Sequence, residues 1–225
     1  MHNAECLNSA RWQKWNWAYW LVSALTLGTL HSYVVLEQGY TGFVRSATSY
    51  QASRSESWEQ LLQISHRQGR VVVLIAAPFS IASVWFVKTC LLWFLCMLFD
   101  SSLDFRGSVT LMGVCYAPMA LLSLIGLVIL CVDPLAGDLR VLDQGSVEAT
   151  FVTGINDYFA RLQEAPALKL TAASRVTAEM TSAAMMIYRL DSDAILTWRK
   201  GLICASVIGA IVHFPTLWAV IRSAL

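Results

Sequence analysis

Charge is what this sequence has least of. Asp, Glu, Lys and Arg together make up 14% of its 225 residues, against about a quarter in an average soluble domain. Sixteen basic residues offset fifteen acidic ones, leaving no basic face for nucleic acid. Catalytic signatures are missing too. There is no G-x-S-x-G, no H-E-x-x-H, no phosphate-binding loop and no dinucleotide fingerprint. Cys6, Cys90, Cys96, Cys115, Cys131 and Cys204 form no C-x-x-C and no zinc spacing. His2, His31, His66 and His213 never fall three or four apart. These absences lead to the expectation of no metal, no cofactor and no enzymatic activity. What remains is apolar: hydrophobic residues are 56% of the chain, with nine Trp and nine Phe, and mean hydropathy is +0.55. A soluble surface cannot carry this, and the composition is that of an integral membrane protein.

A helix crossing the hydrocarbon core needs roughly 20 mostly apolar residues. Four stretches qualify: 15–36, 71–99, 108–132 and 201–221. Alternating barrel strands are absent, so the spans are helices. The first opens on Arg11, Lys14, Trp12, Trp15, Trp17, Tyr19 and Trp20, an aromatic and basic anchor at the headgroup layer. It reads as an uncleaved signal anchor with a cytoplasmic N-terminus. The second, at 29 residues, rises about 43 Å and must tilt, kink or project. Pro78 is its expected kink and Pro118 that of the third span. The turn at 100–107 closes the second and third spans into a tight hairpin.

Two hydrophilic segments, 37–70 and 133–200, separate these spans. Ser53 and Glu56 have capping-box spacing, predicting a helix that runs into the second span. Val147, Phe151, Ile155, Tyr158 and Leu162 predict an amphipathic helix ended by Pro166. Ala173, Val176, Met180, Ala184 and Ile187 predict another, which Arg175, Glu179 and Arg189 make too polar to cross the bilayer. With the N-terminus inside, both segments fall outside, and the 100–107 turn and Arg222 fall inside. Basic residues flank the spans evenly: Arg11, Lys14, Arg106 and Arg222 inside, Arg67, Arg70, Arg199 and Lys200 outside.

Lys88 is the charged residue well inside a span. Such a charge is costly and marks a functional hypothesis. No acidic residue in a span can pair with it, so it is expected to snorkel or to bond carbonyls freed by Pro118; a pore, an anion site or a partner contact are the alternatives. Small residues recur every four positions: Ala24, Gly28 and Ser32; Gly113 and Ala117; Gly201, Ala205 and Gly209. These let helix backbones approach closely, within the bundle or against a partner. Cysteines within the spans read as small apolar residues, with no disulfide expected outside, and His31 and His213 as structural histidines able to reach each other.

The hairpin from Ser80 to Leu127 carries a further pattern. Val84 to Phe99 ends in Asp104-Phe105-Arg106-Gly107, a turn with an aromatic and a basic residue, followed by an apolar run into Tyr116-Ala117-Pro118. Beyond the second hydrophilic segment, Leu-Asp-Ser-Asp-Ala-Ile-Leu-Thr-Trp, 190–198, leads into the last span. This pattern resembles the Yip membrane-domain family, named for eukaryotic members that interact with Ypt/Rab GTPases, over about residues 55 to 220. Members commonly place glycines where this chain has Asp100 and Ser101. They usually have five spans, and Thr171 to Leu190 would supply the fifth here. The resemblance implies a membrane scaffold or adaptor without catalysis, and its bacterial-type members imply a bacterial inner membrane.

The expected molecule is therefore a single all-α membrane domain, 1–225, of four or five spans with extracytoplasmic amphipathic helices. Its expected role is to organise membrane proteins, other copies of itself included, in the lipid bilayer. The alternative is a transporter or channel subunit, with Lys88, Tyr116 and the Pro78 and Pro118 kinks lining a path. An intramembrane enzyme would need a polar cluster beyond Lys88, Tyr116 and the histidines.

Overall fold

A computed structural model describes residues 2–49, 56–132 and 166–224 of the chain. All regular structure among them is helical: α1 (His2–Ser49), α2 (Glu56–Leu98), α3 (Phe105–Val114), α4 (Ala117–Val132), α5 (Pro166–Ser192) and α6 (Trp198–Ala224). Three stretches are long and apolar enough to cross a membrane: Trp17–Thr41, Gln63–Leu98 and the α3–α4 pair, Phe105–Val132. Val71, Ile75, Phe79, Phe86 and Phe94 of α2 and Leu121 and Val128 of α4 lie exposed. An apolar surface of this extent suits lipid rather than water. The expected fourth span, 201–221, falls within α6. The Ser53 cap and the helix expected over Val147–Leu162 lie outside the described residues.

The third span is two helices. Cys115 and Tyr116 form a turn in which the Tyr116 amide bonds the Gly113 carbonyl at 3.2 Å, one residue short of helical spacing. Pro118, second in α4, has no N–H to return to Val114. Pro78, by contrast, is carried inside the continuous helix α2. That helix begins at Glu56, as the run-in from the hydrophilic segment predicts.

The chain forms two compact units. The first comprises Met1–Leu25, Phe79–Leu121 and Thr177–Leu225, and the second Thr26–Pro78 and Leu122–Val176. In the second unit α1 and α2 run antiparallel: Leu36 meets Gly69, and Arg70 donates two hydrogen bonds to the Glu37 carboxylate, at 2.5 and 2.7 Å. His66 Nε2 lies 3.3 Å from the same carboxylate and its ring stacks on Tyr40 at 3.6 Å. Bidentate pairing of this kind fixes orientation as well as charge. Gln38 donates to the Leu130 carbonyl of α4 at 2.8 Å, and His31 packs where a side chain on Gly126 would stand.

In the first unit Trp17 stacks parallel to Trp85 at 6.2 Å, and Gly113 admits Trp17 against its backbone. A Cβ there would lie 2.6 Å from Trp17 Cβ and 3.0 Å from its carbonyl oxygen. The turn after α2 is made by Asp100, whose φ of 54° is left-handed, while Ser101 N–H bonds the Cys96 carbonyl at 3.0 Å. Asp100 thus fills the helix-ending position usually given to glycine. Asp104 then caps α3, accepting from Gly107 N–H at 2.7 Å. The α5–α6 turn repeats the device, with Ala194 at φ 53° and Asp191 accepting from Trp198 N–H at 3.0 Å.

These two turns sit at the same end of the unit, because Lys200 Nζ stands 5.3 Å from the Phe99 ring centre. The four-span expectation put Lys200 and the 100–107 turn on opposite sides of the bilayer.

Gly113→Ala should lower stability by about 1–3 kcal/mol through overpacking, read as thermal unfolding in detergent. Asp100→Gly should raise it by about 1 kcal/mol, since the left-handed conformation costs that much for a residue with a Cβ.

Candidate intramembrane ion pair

Lys88 lies well inside α2, and Glu179 is the central residue of α5, thirteen residues from either end. Lys88 Nζ donates to Glu179 Oε2 at 2.5 Å. The lysine side chain is 8% exposed and the glutamate 22%. Tyr116 covers the ammonium from α4's side, its ring centre 5.7 Å away, close enough for a cation–π contact. The turn at Cys115 and Tyr116 that divides the third span is what brings this ring to the lysine. The sequence expectation of an unpaired lysine is therefore corrected. Its partner sits in the helix read as too polar to span.

The helices that frame the pair are arranged by simple periodicity. On α5, Ala178, Ser182, Met186 and Leu190 are buried at intervals of four, a single inward stripe. On α2, Thr89, Leu92 and Cys96 are fully buried, and Thr89 returns its hydroxyl to the Trp85 carbonyl at 2.8 Å rather than to the charges. Trp85 Nε1 and Ser182 Oγ, one turn from Lys88 and from Glu179 along their own helices, are buried without a hydrogen-bond partner among the described residues. No group of three or more metal-ligating side chains occurs among the described residues.

The small residues expected to mediate packing have different surroundings. Ala24 and Ala117 are buried. Ser32 gives its hydroxyl to the Gly28 carbonyl at 2.9 Å. Gly113 is filled by Trp17, and Gly201 lies against Ile187, with a Cβ position 3.6 Å from Ile187 Cα. Ala205 is half-buried. At Gly209 no atom of the described residues lies within 4 Å of a Cβ position. The ladder read as one feature thus divides into contacts the chain makes with itself and one open place.

No family model matches the chain, and neither a curated protein nor a solved structure is recognisably similar to it.

Chemically, the pair neutralises two charges that would each be costly alone in hydrocarbon. Lys88→Met or Glu179→Leu alone should destabilise by about 3–5 kcal/mol by orphaning the other charge, and the double variant should recover most of the loss. Thermal unfolding of all four proteins in one detergent reads the coupling. Additive losses would show that the charges do not depend on each other.

Proposed function

We propose that the chain is a non-enzymatic integral membrane scaffold of the Yip-like kind, which organises membrane protein partners through the helix faces it leaves open. The observation that carries this reading is Gly209: among the described residues its small-residue place on α6 is unfilled, whereas Gly113 and Gly201 lie against Trp17 and Ile187 of the chain itself. The intramembrane lysine, for its part, is engaged internally by Glu179 and needs no ligand to neutralise it. GTPase binding, known of eukaryotic members, does not follow from these residues.

The same reading gives the domain five crossings. At 27 residues, α5 is about 40 Å long, enough to reach both interfaces from a midpoint at the depth of Lys88. Five crossings place the two tight turns together and the two termini on opposite sides. Arg199 and Lys200 then join Arg11, Lys14 and Arg106 on the N-terminal side. We read the N-terminus as cytoplasmic from the aromatic and basic anchor that opens the first span, and we assign the protein to a bacterial inner membrane from its resemblance to bacterial-type members.

Gly209→Leu should reduce partner or self-association by about tenfold, equivalent to about 1.4 kcal/mol, with little change in thermal stability. Co-purification of the tagged full chain in mild detergent, with stoichiometry, reads it; unchanged recovery would reject the scaffold face. Single cysteines placed by Ser102→Cys and Ser223→Cys in an otherwise cysteine-free chain should label from opposite sides with an impermeant maleimide. Labelling from one side restores an even number of crossings.

A second reading, a transporter or channel subunit with the Pro78 and Pro118 kinks lining a path, is favoured by the presence of an ionisable pair at span depth beside Tyr116. It requires that Lys88→Ala and Lys88→Arg differ in a flux assay. Flux unchanged from the unsubstituted protein in both sets it aside.

A further inference from the structure

Helix α6 carries two polar side chains where lipid is expected. Ser206 and His213 are both exposed, and their separation of two helical turns sets them on one face. Neither has a hydrogen-bond partner among the described residues. His213 lies twelve residues beyond Gly201, about 18 Å along the helix, which is mid-depth for a crossing that starts there. Between the two polar groups stand Gly209 and Ala210, and Leu202, 48% exposed, continues the face one turn before Ser206. An imidazole left in hydrocarbon costs free energy that a hydrogen bond would recover. The small residues let another backbone come close; the imidazole and the hydroxyl say what must come with it.

A neutral imidazole has one donor nitrogen and one acceptor nitrogen, and a hydroxyl both donates and accepts. Each is therefore complementary to its own kind at the same depth. From Leu202 to Phe214 the helix carries no Asp, Glu, Lys or Arg, so nothing on this face calls for a charged partner. Copies of one chain share a topology, and a two-fold axis along the membrane normal sets identical residues opposite each other. Leu202, Ser206, Gly209 and His213 follow the alternating four-and-three spacing of a helix–helix seam. We propose that this face of α6 binds α6 of a second copy of the chain, in parallel. His213 is then hydrogen-bonded to the partner subunit's His213, with Gly209 at the close approach. This pairing rests on the scaffold reading, in which α6 crosses the bilayer with an open face, and supplies the occupant of that face.

The test uses the full chain in native membranes, made cysteine-free and then given one cysteine, by Ser206→Cys on the face or Ile211→Cys off it. Ile211 is also exposed, at 49%, but points about 140° away from Ser206 around the helix. Mild oxidation should join Ser206→Cys into a disulfide-linked dimer of twice the chain's mass and leave Ile211→Cys monomeric. Adding His213→Leu to Ser206→Cys should cut the dimer yield about tenfold. His213→Gln, which keeps a donor and an acceptor, should restore it. Equal membrane levels and equal thermal unfolding show that the variants fold. Dimer in equal yield at both positions reports random collision and overturns the pairing. So does a monomer at Ser206→Cys, a product of any other mass, or a yield that His213→Leu leaves unchanged. Co-purification separates this from the scaffold reading. A foreign partner lost in Gly209→Leu, with no self-link at Ser206→Cys, keeps the scaffold and removes the second copy. A self-link with no foreign partner keeps the pairing and removes the scaffold role.

Discussion

The ion pair between Lys88 and Glu179 is the constraint around which the first unit is organised. An ammonium in hydrocarbon is costly, by about 2.5–3.5 kcal/mol on insertion scales. A carboxylate from a neighbouring helix offsets that only if it arrives at the same depth. The pair therefore fixes the register of α5 against α2: a shift of one residue would turn Glu179, which lies beside the buried stripe of Ala178, Ser182, Met186 and Leu190, by about 100° away from the lysine. It also gives a reason for the break at Cys115 and Tyr116. An unbroken third span would keep its hydrogen-bond ladder, but the turn presents the Tyr116 ring to the lysine. Once α5 is placed, Gly201 can seat on Ile187, and α6 follows.

The second unit solves its own charge problem at the headgroup layer. Glu37 ends the apolar part of α1 and Arg70 begins that of α2. Their bidentate pair, with His66 and Tyr40 stacked alongside, holds the two helices antiparallel. Exposed pairs of long side chains contribute little. This one gains from planar geometry and from an aromatic flank that limits side-chain freedom.

Much of the helical layout was legible in the sequence. Apolar length located the three stretches long enough to cross a membrane, and the run-in to α2 followed from the polar residues before it. Asp104, noted only as part of a turn, proves to be the cap of α3. Three features were not legible, each for a physical reason. Window hydropathy averages over a helix circumference, so the charges of Arg175, Glu179 and Arg189 masked the buried stripe of Ala178, Ser182, Met186 and Leu190 on α5. The pairing of Lys88 with a residue 91 positions away depends on which helices are neighbours, which no local pattern encodes. The small-residue ladders look alike in sequence, yet Gly113, Gly201 and Gly209 meet three different surroundings because occupancy is a property of the partner helix.

The separation of Lys88 from Glu179 has a consequence for biosynthesis. Chains emerge from the ribosome at about 5–20 residues per second, so α2 is made about 5 to 20 s before its counter-charge exists. During that interval the ammonium has only water and headgroups to turn to, with its stem drawn along the helix towards an interface. Settling of α2 at its final depth is then tied to the arrival of α5. A nascent chain halted before Glu179 would hold its second helix displaced, awaiting the carboxylate that draws it in.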